Sequence, residues 1–126
     1  MSLEAAIKLA RRMEYEKGKQ RIAAVICDKG GNVVSYATNS YTKTHPVQKK
    51  YACLSGSEEK QFLHAEISAI IKSRCDLKDH TIFVARVLHD GTPAYARPCD
   101  ICLLAIKESG IKKVNYTMVE CNEKDL

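Results

Sequence analysis

The reading of this chain turns on Leu63-His64-Ala65-Glu66, answered further along by Arg97-Pro98-Cys99-Asp100-Ile101-Cys102. One imidazole and two cysteines make three soft or borderline donors of the sort zinc prefers. His64, Cys99 and Cys102 are therefore the candidate metal ligands, and Glu66 is a carboxylate left over from that set. Three protein ligands leave the fourth tetrahedral position open to water, as in a catalytic zinc site. A structural zinc is normally closed by a fourth protein ligand.

Helical geometry agrees with the spacing. Positions i and i+3 share a helix face, so Cys99 and Cys102 can reach one ion from the first turn of a helix. Pro98 suits a helix start, where its missing N–H costs nothing. Residues i and i+2 do not share a face, so His64 is expected at the very start of the helix that carries Glu66. Two helix N-termini should then converge on one ion, their positive ends favouring the thiolate form of both cysteines.

Together, H-x-E and P-C-x-x-C resemble the signature of zinc-dependent nucleobase deaminases, the cytidine and deoxycytidylate deaminase superfamily. The resemblance runs from the first strand to the last and includes small phage and bacterial members. It implies that Glu66 carries protons between water, ring nitrogen and departing ammonia. It also implies substrate contacts from the backbone N–H of Ala65 and from Asn39, which follows the second strand. The H-A-E form is similar to dCMP, guanine and tRNA adenosine deaminases, whereas tetrameric free-cytidine deaminases usually carry cysteine there. The implied activity is hydrolytic deamination of a small cytosine nucleotide or nucleoside, dCMP-like, with Zn2+ as cofactor and a homo-oligomer as the assembly.

Other readings stay open at this point. Single-stranded DNA, RNA or a purine base is an alternative substrate, with nucleic acid the less favoured partner. A zinc-stabilised binding module without turnover is a second, although such a site has no use for Glu66. Cys99-x-x-Cys102 alone would suit a redox pair, and a lone His64 would more often be an ordinary histidine. The joint pattern outweighs both. His45 and His89, in expected loops, are read as ordinary histidines, and Tyr41 as a loop tyrosine that can also stack on a base.

Composition sets the frame. The 126 residues are 45% hydrophobic and 28% charged, which fits a single globular domain over residues 1–126. No apolar run nears the roughly 18 residues of a membrane span, so a soluble, cytoplasmic protein is expected. The net charge of +5 suits an anionic substrate without demanding one. Of six cysteines, two belong to the metal motif. Cys27, Cys53, Cys75 and Cys121 show no regular spacing and are read as reduced thiols. A second zinc using some of them has no spacing to support it.

Periodicity supplies the elements. Leu3, Ala6, Ile7, Ala10 and Met13 recur at helical spacing, predicting a helix over residues 3–17 that Gly18 stops. Residues 22–27 form an unbroken apolar run, hence a strand buried on both faces, and residues 33–38 return as a hairpin. A polar loop is expected from Asn39 through His45 to Lys50 and Tyr51, with Lys43, Lys49 and Lys50 bordering the pocket. Helices follow over residues 64–74 and 99–108, and strands over 81–87 and 112–117. Residues 94–97 are read as a lead into the second metal segment. The last strand–helix–strand unit should be a right-handed parallel crossover. The fold class is α/β, a three-layer α/β/α cytidine deaminase-like fold with a mixed sheet of four to five strands. Residues 118–126 are either outside the sheet or an abbreviated edge. The segment between Val84 and Pro98 is longer than in many family members and is expected to reshape one wall of the pocket.

Overall fold

Seven residues, Arg21–Cys27, form β1, and their side chains divide between two covered faces. The computed structural model describes residues 2–57 and 59–118. Ala23, Val25 and Cys27 meet the first helix, α1 (Ser2–Arg12), through Ala6 and Ala10. Ala24 and Ile26 meet the opposite side, among Ala65, Ala69 and Ile106. An unbroken apolar run is what such two-sided burial requires, because alternate residues face opposite layers.

β1 pairs antiparallel with β2 (Val33–Thr38) and with β3 (Thr81–Val87). The Asp28 carboxylate closes the first hairpin by accepting the N–H groups of Gly30 and Asn32, both at 2.9 Å. Beyond β3 its far edge is shared. β5 (Lys113–Tyr116) runs parallel along Thr81 to Val84, and the two-residue β4 (Pro93–Ala94) pairs antiparallel with Arg86 and Val87. The sheet is therefore mixed and five-stranded, in the order β2-β1-β3 with β4 and β5 on the outer side. Thr117 ties the two short strands to β3: its hydroxyl bonds to the Ala94 carbonyl and accepts the Arg86 N–H at 3.2 Å.

α1 covers one face. α3 (Ala65–Ser73) and α4 (Asp100–Ser109) cover the other, with α2 (Pro46–Leu54) packed outside them through Ala52, Ile67 and Ile101. This is the expected three-layer arrangement, and the parallel β3–α4–β5 crossover is present. Gly110 ends α4 at φ +88, and a Cβ there would stand 3.3 Å from the Lys78 backbone. Both the left-handed angle and the close approach call for glycine.

Four expectations need correction. The first helix ends at Arg12, not Lys17, because residues 14–20 are exposed and carry no further apolar stripe to bury. The expected polar loop after Asn39 holds α2, whose start is capped by the His45 imidazole accepting the Val47 N–H at 3.1 Å, with Pro46 following. Its lysines and tyrosine hid a helix whose buried positions are only Gln48 and Ala52. Residues 93–94 form a strand pairing, not a plain lead. The helix expected from Cys99 begins at Asp100, so Pro98 precedes the N-cap and is not inside the helix. Residues 119–126, where an abbreviated edge was considered, lie outside the described residues. No described helix is long and apolar enough to cross a membrane.

Candidate metal centre and active site

Three donor atoms meet where α3 and α4 begin. His64 is the N-cap of α3, with extended backbone at φ −78 and ψ 154, and Cys99 is the N-cap of α4 at φ −72 and ψ 170. Neither uses its side chain to cap its own helix, so both side chains are free to turn toward the gap between the helices. Cys102 reaches the same gap from the first turn of α4. The His64 Nδ1 atom lies 3.2 Å from the Cys102 Sγ and 3.6 Å from the Cys99 Sγ. All three donor atoms fall within 4.8 Å of one another. Ligands at roughly 2.0–2.3 Å from one central ion fit that span.

The electrostatics also call for a cation. The Cys99 thiol is lowered to about 3, first by its hydrogen bond with Cys102 and then by that with His64. The Cys102 thiol is pushed up, because it gives its proton to the Cys99 sulfur and is buried. The His64 imidazole is raised, chiefly by its hydrogen bond with Cys99. A lowered thiol, a second sulfur and an imidazole facing one gap suit a divalent ion. The helix starts add their positive ends to the same point. A soft dication such as Zn2+ fits this donor set.

Glu66 sits in the first turn of α3, 6% exposed, and lines the cavity beside His64. Burial raises its carboxyl above the usual range. A carboxyl held nearer neutrality can both take and return a proton.

The cavity in front of these residues has a volume of about 550 Å³. Ala65 lines it as the first residue of α3, so its N–H is among those a helix leaves without an internal acceptor. Asn39 lines it as well, but its amide also closes the sheet. Its Oδ1 accepts the Ile22 N–H at 2.9 Å, and its Nδ2 donates to the Gln20 carbonyl at 3.1 Å. Lys43, Lys49 and Lys50 do not line the cavity. Among the described residues, the cations on its wall are Lys60, Arg86 and Arg97. Tyr41, Phe62 and Tyr95 stand at its mouth, each between 39% and 49% exposed.

Sequence reasoning missed Gln48. It is fully buried on α2, accepts the His64 N–H through Oε1 at 3.1 Å and donates to the Lys60 carbonyl at 3.1 Å. The amide thereby holds the backbone of a candidate ligand. Only the hidden helix around it would have signalled a buried glutamine. Tyr51, at the end of the expected loop, donates its hydroxyl to Glu108 at 3.0 Å.

Known proteins share this architecture. The diaminohydroxyphosphoribosylaminopyrimidine deaminase/5-amino-6-(5-phosphoribosylamino)uracil reductase of Thermotoga maritima superposes with a TM-score of 0.56 at 22% identity over 94% of this chain. RibD of Acinetobacter baumannii, in one crystal form, superposes with a TM-score of 0.57 at 19% identity over 96% of the chain. The chain spans only 29% and 28% of the lengths of those two proteins, and at these identities the likeness concerns the fold. None of the curated proteins compared with the chain matches it. The model of the cytidine and deoxycytidylate deaminase zinc-binding region, however, matches residues 1–118, and the chain belongs to that family.

Proposed function

We propose that the protein is a zinc-dependent hydrolytic deaminase that converts the amino group of a cytosine nucleotide or nucleoside, dCMP-like, to a carbonyl and releases ammonia. The observation that carries this reading is a buried carboxylate, Glu66, beside a three-donor cluster that leaves room for water. His64, Cys99 and Cys102 would hold the ion, which supplies Lewis-acid activation of a water molecule, lowering its pKa to roughly 7.

The chain's own residues would do the rest. Glu66 takes a proton from the attacking water and passes it to the ring nitrogen next to the amine-bearing carbon. The new C–O bond forms as the ring takes up that proton. Glu66 then delivers the second water proton to the amine, and the C–N bond breaks to give ammonia and the carbonyl product. The N–H of Ala65 and the Asn39 amide would orient base and sugar. Tyr41, Phe62 and Tyr95 would shield the base from bulk water at the mouth.

Those three aromatics favour a second reading, deamination of a cytosine within single-stranded nucleic acid. Half-exposed rings around a basic opening are what successive bases stack on. Ammonia release from dCMP, deoxycytidine, a cytosine-containing oligonucleotide and adenine and guanine counterparts tests both. The first reading expects dCMP or deoxycytidine to be the best substrate, and the second expects the oligonucleotide.

A further inference from the structure

The cavity wall carries cations that have no ion-pair partner among the described residues. Arg86 lies on β3 in register with Ile82 and Val84, which face α3 and α4, and lines the cavity there. It is half-buried, and its Nε atom is buried without a hydrogen-bond partner among the described residues. Arg97, exposed at the rim two residues before Cys99, and Lys60 share the wall. None of the three forms an ion pair among the described residues. Among the described residues, the carboxylates on the same wall are Glu66, committed to the proton chemistry, and the exposed Glu59.

Arg21 is anchored by the backbone, although its own Nε atom is likewise buried without a partner among the described residues. It is 8% exposed and donates from both terminal nitrogens to backbone carbonyls, those of Met13 and Leu88. Arg86 has no such acceptors among the described residues. A partly desolvated guanidinium without partners is costly unless a ligand completes it. Two guanidinium forks on one wall match the oxygens of a phosphate, which accept paired N–H donors. Arg86 lies near the end of β3, and Arg97 lies in the stretch between β4 and α4.

We infer that Arg86 and Arg97 form a phosphate subsite, so that the base reaches the metal end as part of a phosphate-bearing unit and not as a free base or nucleoside. This rests on the deaminase reading and sharpens its substrate. The phosphate is either that of a free nucleotide or that of a strand.

The test is the binding advantage of nucleotide over nucleoside, measured by calorimetry on the zinc-loaded protein with the product pair dUMP and deoxyuridine. The expected advantage is roughly ten- to hundredfold, the range of charge-assisted hydrogen bonds. It should collapse toward parity in Arg86→Met and in Arg97→Met, and Arg86→Lys should recover part of it. Parity in the wild type, or an undiminished ratio in both Met variants, overturns the inference. A uridine-containing oligonucleotide separates the sources: tighter binding than dUMP assigns the phosphate to a strand, and weaker binding to a free nucleotide. If no uracil compound binds, the cytosine reading fails by itself. The same ratio taken with AMP and adenosine and with GMP and guanosine then decides the subsite, and parity in both pairs overturns it.

Discussion

The Gln48 side chain bridges two backbone groups across the approach to α3, accepting the His64 N–H and donating to the Lys60 carbonyl, each at 3.1 Å. A fully buried amide that satisfies two backbone groups at once fixes the start of α3 and with it the direction of the imidazole. Outer partners of this kind typically alter metal affinity ten- to a hundredfold when removed. Gln48→Ala is expected to destabilise the fold by about 2 kcal/mol or more, since it strands a donor and an acceptor. It should also weaken zinc binding by roughly tenfold. Denaturant unfolding and competition with a chelator measure the two effects. An unchanged zinc affinity would leave Gln48 with a packing role only.

Metal content is the second prediction. The purified protein should carry one zinc per chain, and Cys99→Ala with Cys102→Ala should carry none. Chelation should lower the unfolding temperature, because an ion bound only by the folded chain stabilises it by mass action. Elemental analysis and a thermal melt with and without chelator test this. Full zinc occupancy in the double variant would remove both cysteines from the ligand set.

A third prediction concerns acid. The Asp28 carboxyl is held below its ordinary value, first by the backbone N–H of Asn32, with the Asn32 side chain and the Gly30 N–H adding to it. A depressed folded value means that the ionised form favours folding. That contribution is fully present above the ordinary aspartate value and is lost as pH falls through the folded one. Asp28→Ala should therefore be less stable than the wild type at pH 6, with the gap narrowing by pH 3. A gap that is constant across this range would mean that the charge contributes nothing.

The legible part of this molecule was the part written in apolar runs and motif spacing. Residues 33–38 and 81–87 were expected as strands, and both match β2 and β3 to the residue. A short unbroken run such as Ile22 to Cys27, followed by a Gly-rich turn, suits a strand covered on both faces. The convergence of His64, Cys99 and Cys102 was legible too, because helix periodicity fixes which side chains share a first turn. What stayed hidden depended on tertiary context. α2 buries only Gln48 and Ala52, too few apolar positions to show a period, and its start is set by His45 and Pro46. Arg86 looked like part of a central strand, yet it stands where that strand reaches the cavity. Phe62 and Tyr95 are far apart in sequence, and only the fold brings them to one opening.

The central claim is that Glu66 moves the proton in a zinc-assisted deamination. Glu66→Gln keeps the shape of the side chain but cannot take the proton from water. Ammonia release from the best cytosine substrate, measured together with zinc content, tests this most directly. The account predicts full zinc occupancy and a fall in turnover of about 10⁴, the upper end for a positioned acid–base group. Turnover at the wild-type rate in a zinc-loaded Glu66→Gln protein would contradict it.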